Sequence, residues 1–221
     1  MIYFDNASTT KPNPAIIDLY TKINNEYWYN ESSTHQLGIT SKTLLDRATA
    51  SICRTLNLKN KKIVFTGSAT EANNLAIYGI CKPYINQHKH IITSKIEHPS
   101  VLECFQDLEK QGFSVTYLDV DENGIVDLEM LKNSLTKDTI LVSIMWVNNI
   151  IGSVQPIKKI KEILKDYPRV KFHSDLVQGI TKLMPDFELN DLDLMTFTAH
   201  KLHGLKGTAV LILNDKIGGY N

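Results

Sequence analysis

Leu192-Asp193-Leu194-Met195-Thr196-Phe197-Thr198-Ala199-His200-Lys201 decides how this chain is read: an apolar, β-prone run from Leu192 to Phe197 carries a His-Lys pair to its end. Taken alone, it is a strand end with a snorkelling lysine whose head stays in water. Runs of the same kind recur on both sides of it: Ile63-Val64-Phe65-Thr66, Ile91-Ile92-Thr93-Ser94, Val115-Thr116-Tyr117-Leu118, Ile140 to Met145, Val170-Lys171-Phe172 and Ala209 to Leu213. Between them lie amphipathic stretches, such as Ile157, Ile160, Ile163 and Leu164 on one face of a helix opened by Pro156. Strands alternating with helices predict an α/β domain around a mostly parallel sheet, with binding residues gathered at the carboxyl ends of its strands.

Ahead of that alternation the sequence predicts a helix starting near Pro14 after Asn13 and another over roughly Leu37 to Leu56. The polar loop Tyr29-Asn30-Glu31-Ser32-Ser33-Thr34-His35 separates them. Residues 1–13 read as an N-terminal segment and 14–221 as one large domain, since no repeat or Pro/Gly-rich linker interrupts them. The tail Asn214 to Asn221 shows no clear further element.

With 221 residues, 43% of them hydrophobic, the chain can bury a sizeable core. Lys+Arg and Asp+Glu are balanced at 24 each, so no broad basic face calls for nucleic acid or anionic lipid, and a small-molecule substrate is the expectation. No apolar stretch approaches membrane-spanning length and Met1-Ile2-Tyr3-Phe4-Asp5 lacks the pattern of a signal peptide, which predicts a cytoplasmic protein. Cys53, Cys81 and Cys104 have no C-x-x-C spacing, which argues against a disulfide framework or a metal site. Each falls in a helical pattern as a small buried hydrophobe.

The predicted strand ends carry the chemistry. Ile63 to Phe65 runs into Thr66-Gly67-Ser68-Ala69-Thr70-Glu71 ahead of a helical run Ala72 to Gly79, so small residues and hydroxyls stand at a helix N-terminus suited to a phosphate. It is neither a Walker A loop nor a dinucleotide fingerprint, and Thr70-Glu71 reads equally as capping chemistry. His98, after Ile91 to Ser94, reads as a surface imidazole or as one stacking on a flat ring and moving protons. Asn148-Asn149, after Ile140 to Met145, reads as turn-building or as an amide aimed at a ligand. Asp175, just past Val170 to Phe172 and followed by Gln178, reads as a helix cap or as the partner of a protonated pyridine nitrogen. Lys201 can form a Schiff base with an aldehyde. A phosphate cradle, a ring stacker, amides, an acid and a lysine at five strand ends are the set that pyridoxal 5′-phosphate requires.

On these residues the chain resembles the cysteine desulfurases of the NifS/IscS type, within the class V aminotransferase group of fold-type I pyridoxal phosphate enzymes. The resemblance runs from Tyr3-Phe4-Asp5-Asn6-Ala7-Ser8-Thr9-Thr10 through Lys201-Leu202-His203-Gly204-Leu205-Lys206-Gly207. It implies the family's large domain, a mostly parallel seven-stranded sheet flanked by helices in an α/β/α sandwich. By resemblance, Ala69 and Thr70 are phosphate-turn residues, with Thr198 and His200 as further phosphate-side contacts. His98 stacks on the ring, Asp175 pairs with the pyridinium, Asn149 and Gln178 lie near the ring hydroxyl, and Lys201 is the Schiff-base lysine. The catalytic pair is then Lys201 with His98. The reaction implied removes sulfur from L-cysteine, leaving alanine and a persulfide on a protein thiol, in sulfur transfer for iron-sulfur cluster assembly. A homodimer and a sulfur-acceptor protein are the implied partners.

Two motifs depart from the family. Asn-Pro-Ser-Ser is Asn30-Glu31-Ser32-Ser33 here, and Asn-Asn-Glu-x-Gly is Asn148-Asn149-Ile150-Ile151-Gly152. Family members continue into a small domain with the persulfide cysteine, a carboxylate-binding arginine and a hydroxyl for the partner subunit's phosphate. This sequence stops before those features, so a separately encoded small domain is a further possible partner. The competing readings are another class V reaction, such as selenocysteine cleavage or transamination, and a cofactor-binding subunit that is inactive or depends on a partner.

Overall fold

The computed structural model describes residues 2–217; Met1 and the residues 218–221, including Gly218 and Gly219 of the tail read from sequence, lie outside them. Seven strands form one sheet: β1 (Lys61–Thr66), β2 (His90–Ser94), β3 (Ser114–Leu118), β4 (Thr139–Ser143), β5 (Lys171–Asp175), β6 (Leu194–Thr198) and β7 (Ala209–Asn214). Their order is β1-β7-β6-β5-β4-β2-β3, and β7 alone runs against its neighbours. The helices are α1 (Pro14–Glu26), α2 (Gln36–Thr55), α3 (Ala69–Cys81), α4 (Pro99–Lys110), α5 (Leu128–Ser134) and α6 (Ile157–Leu164).

The central strands are apolar on both faces because helices cover both. Successive residues therefore split between two cores. Ile91, Leu141, Leu194 and Leu211 face α3 and α4, against Ala72, Ala76, Ile77 and Phe105. Ile92, Val142, Met195 and Ile212 face the other way, against Leu131 of α5 and Ile157, Ile160 and Leu164 of α6. The result is the α/β/α sandwich expected from sequence. Among the described residues no helix is long and apolar enough to cross a membrane.

Three boundaries shift, each where polar groups find hydrogen-bond partners. β4 stops at Ser143, short of the Ile140 to Met145 run, because the Met145 N–H donates to the Glu97 carboxylate. β5 extends through Asp175, past the Val170 to Phe172 run, since His173, Ser174 and Asp175 find partners in Ser143, the Ile144 carbonyl and Asn73. Asp175 is thus the last residue of a strand. α3 begins at Ala69, ahead of the expected Ala72, because Ser68 caps it.

Candidate active site

The start of α3 is tied down from both sides. Ser68 Oγ accepts the Glu71 N–H at 3.1 Å, and Glu71 Oε2 reaches back to accept the Gly67 N–H at 2.8 Å. This reciprocal cap leaves the first amides of the helix, at Ala69 and Thr70, at the positive end of the helix dipole. Capping and anion binding are therefore not alternatives here, because the cap fixes the turn that a phosphate would meet.

Asp175 at the end of β5 is buried. Its Oδ2 accepts from Asn73 Nδ2 at 2.9 Å and its Oδ1 from the Val177 N–H at 2.9 Å. Burial pushes the carboxyl above its ordinary value, while the Asn73 and Val177 bonds and the charges of His98 and Lys201 pull it back. His98 is the N-cap of α4: its Nδ1 accepts the Ser100 N–H at 3.1 Å and pairs with Ser100 Oγ at 2.8 Å. Ser100 Oγ in turn receives Asn73 Nδ2 at 3.0 Å, which links the acid and the imidazole through one buried amide.

Lys201 lies in the turn that follows β6, half-buried. Burial lowers its pKa against the opposing pull of Asp175 and Asp5, which moves the amine toward the neutral form a nucleophile needs. Thr198 Oγ1 bonds the Thr208 carbonyl at 3.2 Å, and His200 offers its carbonyl to the Thr10 N–H at 2.8 Å, so residues 9–13 of the N-terminal segment fasten the lysine turn. Burial and the Lys201 charge together lower His200.

Ala69, Thr70, His98, Asp175, Thr198, His200 and Lys201 line one cleft of about 220 Å³. Lys201 also lines an adjoining cavity of about 500 Å³ with Asn6, Ala7 and Lys182. Asn149 and Gln178 are not among the cleft's walls. Asn149 sits half-buried in the turn that Asn148 organises by accepting the Ile150 and Ile151 N–H groups, and Gln178 donates to the Ala7 carbonyl at 2.8 Å. A larger cavity of about 610 Å³, lined by Lys59, Asn190 and Asp215, lies at the amino ends of β1, β5 and β6, away from the strand ends that collect ligand chemistry. Among the described residues no group of three or more His, Cys, Asp or Glu is placed to hold a metal ion.

Four residues of the site are ones that sequence reasoning missed. Asn73 and Ser100 sit within helices, Thr196 within a strand, and Glu97 beside His98, each resembling ordinary polar residues until their buried partners are seen. The one available signal was a polar residue at an inward-facing helix position: Asn73 follows Ala72 and precedes Ala76 and Ile77, all buried. Glu97 and Asn148 also clamp two loops together, since Asn148 Nδ2 donates to the Ile96 carbonyl at 2.8 Å. The groups converging on the cleft can grip a phosphate, hold a proton on a ring nitrogen and attack a carbonyl carbon.

Residues 2–219 match the sequence profile of the class-V aminotransferases. The chain is 46% identical over 212 residues to a NifS/IcsS protein homolog of Lactobacillus delbrueckii subsp. bulgaricus, covering 96% of this chain and 55% of that protein. It is 43% identical over 216 residues to the cysteine desulfurase IscS of Neisseria gonorrhoeae, covering 97% and 53%. The chain thus spans about half the length of the curated relatives it matches. Among solved structures, a NifS-like protein superposes with a TM-score of 0.92 at 33% identity over 98% of this chain and 60% of that one. SspA in complex with cysteine superposes with 0.90 at 32% identity over 97% and 62%. This chain belongs to the class-V aminotransferase family.

Proposed function

We propose that residues 14–221 form the cofactor-binding large domain of a pyridoxal phosphate-dependent cysteine desulfurase, with residues 1–13 as a segment fastened onto it. The observation that carries this reading is the convergence of the α3 N-terminus, the buried Asp175 and the half-buried Lys201 on one cleft. The donor set fits the cofactor: amides and hydroxyls at Ala69, Thr70, Thr198 and His200 for its phosphate, and the Lys201 amine for its aldehyde. When bound, pyridoxal phosphate supplies an electron sink for bonds broken at the substrate α-carbon. The Asp175 carboxylate would keep a proton on the ring nitrogen, and His98, fixed at the start of α4, would stack on the ring and offer Nε2 for proton movement. Lys201 would hold the aldehyde of the group through Nζ and, as an amine of lowered pKa, could take up and return protons there. Asn149 and Gln178 are assigned to the ring hydroxyl by resemblance; Gln178 Nε2 holds the Ala7 carbonyl with one of its two N–H groups and has the other to offer.

L-cysteine as substrate is supported by relatives named cysteine desulfurase and by a neighbouring structure described as a cysteine complex. The three cysteines do not provide the sulfur-accepting thiolate: burial pushes Cys81 up to about 12 and Cys104 up to about 11, and Cys53 lies on α2 outside the cleft. We therefore assign the persulfide to a thiol outside residues 1–221, which favours a subunit or domain that completes its chemistry with a partner. Sulfur transfer for iron-sulfur cluster assembly, in the cytoplasm, is the process this reading implies. A second copy of the chain is the proposed oligomeric partner, consistent with exposed Phe4 and Trp28 on the N-terminal elements.

Adding pyridoxal phosphate to the purified chain should produce a visible absorption band, which Lys201→Ala abolishes. A flat spectrum, or an unchanged band in the variant, overturns the reading.

A further inference from the structure

Asn73 is fully buried at the interface of α3 with the sheet, one helical turn beyond Ala69 and therefore on the same face as the phosphate turn. A primary amide in such a place is costly unless its donors and acceptor are paired. Those of Asn73 are. Nδ2 donates to Asp175 Oδ2 at 2.9 Å and to Ser100 Oγ at 3.0 Å, and Oδ1 accepts from Thr196 Oγ1 at 2.5 Å.

The orientation of the amide follows from the chemistry of its neighbours. An ionised carboxylate only accepts, so the NH₂ edge must face Asp175 and the carbonyl must face Thr196, whose hydroxyl then donates. Ser100, having accepted from Asn73, spends its own proton on His98 Nδ1, which also takes the Ser100 N–H. His98 is thereby left with its proton on Nε2. One side chain from α3 thus joins the end of β5 and the middle of β6 to the first turn of α4.

We propose that Asn73 is the positioning residue of this site: its amide aims and holds the Asp175 carboxylate and, through the Ser100 hydroxyl, reinforces the His98 tautomer that the Ser100 N–H requires. The aim toward a ring nitrogen rests on the function proposed above, whereas the wiring itself does not. Asp175 is faced by His98 from the start of α4, Lys201 from the end of β6 and Glu97 from the loop after β2, so its charge state is contested. Of its two protein donors, Asn73 is the one whose removal leaves the backbone intact.

The test reads Asp175 directly in the cofactor-free chain. With aspartate labelled at the side-chain carboxyl carbon, the Asp175 signal is assigned by its loss in Asp175→Asn and followed through a pH titration. Asn73→Leu, which keeps the branched outline of the side chain at a larger volume and removes both donors, should raise the Asp175 midpoint by about one pH unit or more, roughly tenfold in proton affinity. It should also weaken pyridoxal phosphate binding about tenfold. Thr196→Val, which removes only the donor that orients the amide, should shift the midpoint the same way by less, and it serves if Asn73→Leu does not fold. In the unmodified chain, nitrogen shifts of His98 at about pH 9 should show a bare Nδ1 and a protonated Nε2. An unmoved Asp175 midpoint in a folded variant, or the opposite His98 tautomer, overturns the proposal. If the unmodified chain binds no pyridoxal phosphate, the function proposed above fails while these readouts still decide the wiring.

Discussion

Glu97 accepts the backbone N–H of Met145 on both carboxylate oxygens, each at 3.0 Å, so a side chain from the loop after β2 closes the backbone beyond β4. Ser94 Oγ adds a second donor at 2.6 Å. The next residue, His98, caps α4. Even with these donors, burial pushes Glu97 up to about 8, helped by the nearby Asp175 charge.

Stability should therefore depend on pH through Glu97. Between its ordinary value of 4.5 and about 8, the folded chain keeps a proton that the unfolded chain has lost, so stability falls as pH rises through that window. The buried His173 acts oppositely: burial lowers it from 6.5 to about 3, so stability falls as pH drops between those values. Denaturant unfolding across the range should show Glu97→Gln gaining on the unmodified chain by roughly 1 kcal/mol per pH unit toward pH 8. Curves that stay parallel would contradict this.

Ser68→Ala removes the N-cap of α3 and half of its reciprocal bond pair with Glu71. A loss of about 1 kcal/mol in urea unfolding is expected, together with weaker pyridoxal phosphate binding as the first turn loosens. Unchanged affinity would separate the cap from the phosphate site.

The thiols should differ in reactivity. Cys81 and Cys104 are buried with raised pKa values, whereas Cys53 is only half-buried. An aromatic disulfide reagent at about pH 8 should label Cys53 alone in the native chain, and the other two only after unfolding. Rapid native labelling of Cys81 or Cys104 would reopen the question of a thiolate within residues 1–221.

Gly179→Ala should destabilise through packing. A Cβ there would stand 2.2 Å from Cε3 of Trp146, a ring held edge-on by Phe187 with centroids 5.2 Å apart. Overpacking of this kind costs about 1–3 kcal/mol, visible as a lowered Tm. Because the same turn carries Val177 and Gln178, pyridoxal phosphate affinity should fall with it.

Much of the architecture was legible before any coordinates. Apolar runs such as Ile91-Ile92 and Leu194-Met195 mark strands buried on both faces, and the Pro156 to Leu164 pattern marks a covering helix, because periodicity is a local property of the chain. Strand ends were less legible, since Met145 and Asp175 bond to residues distant in sequence. The lysine, the acid and the phosphate turn stand out only as a set gathered at strand ends, since each alone reads equally as a solvated head or a helix cap. Asn73 is marked only by its place among the apolar positions Ala72, Ala76 and Ile77, and its partners, a carboxylate and two hydroxyls from other elements, leave no trace in the local sequence.

By itself, then, the sequence determined an α/β chain of the class-V aminotransferase family with Lys201, Asp175 and a phosphate-suited turn in order. Only the tertiary structure decided that these groups share one cleft, that β7 runs against its neighbours, and that Asn73 ties the acid to the imidazole. The reason is physical. Residue type and period are written along the chain, but hydrogen-bond partners and burial exist only once segments separated by a hundred residues are packed together.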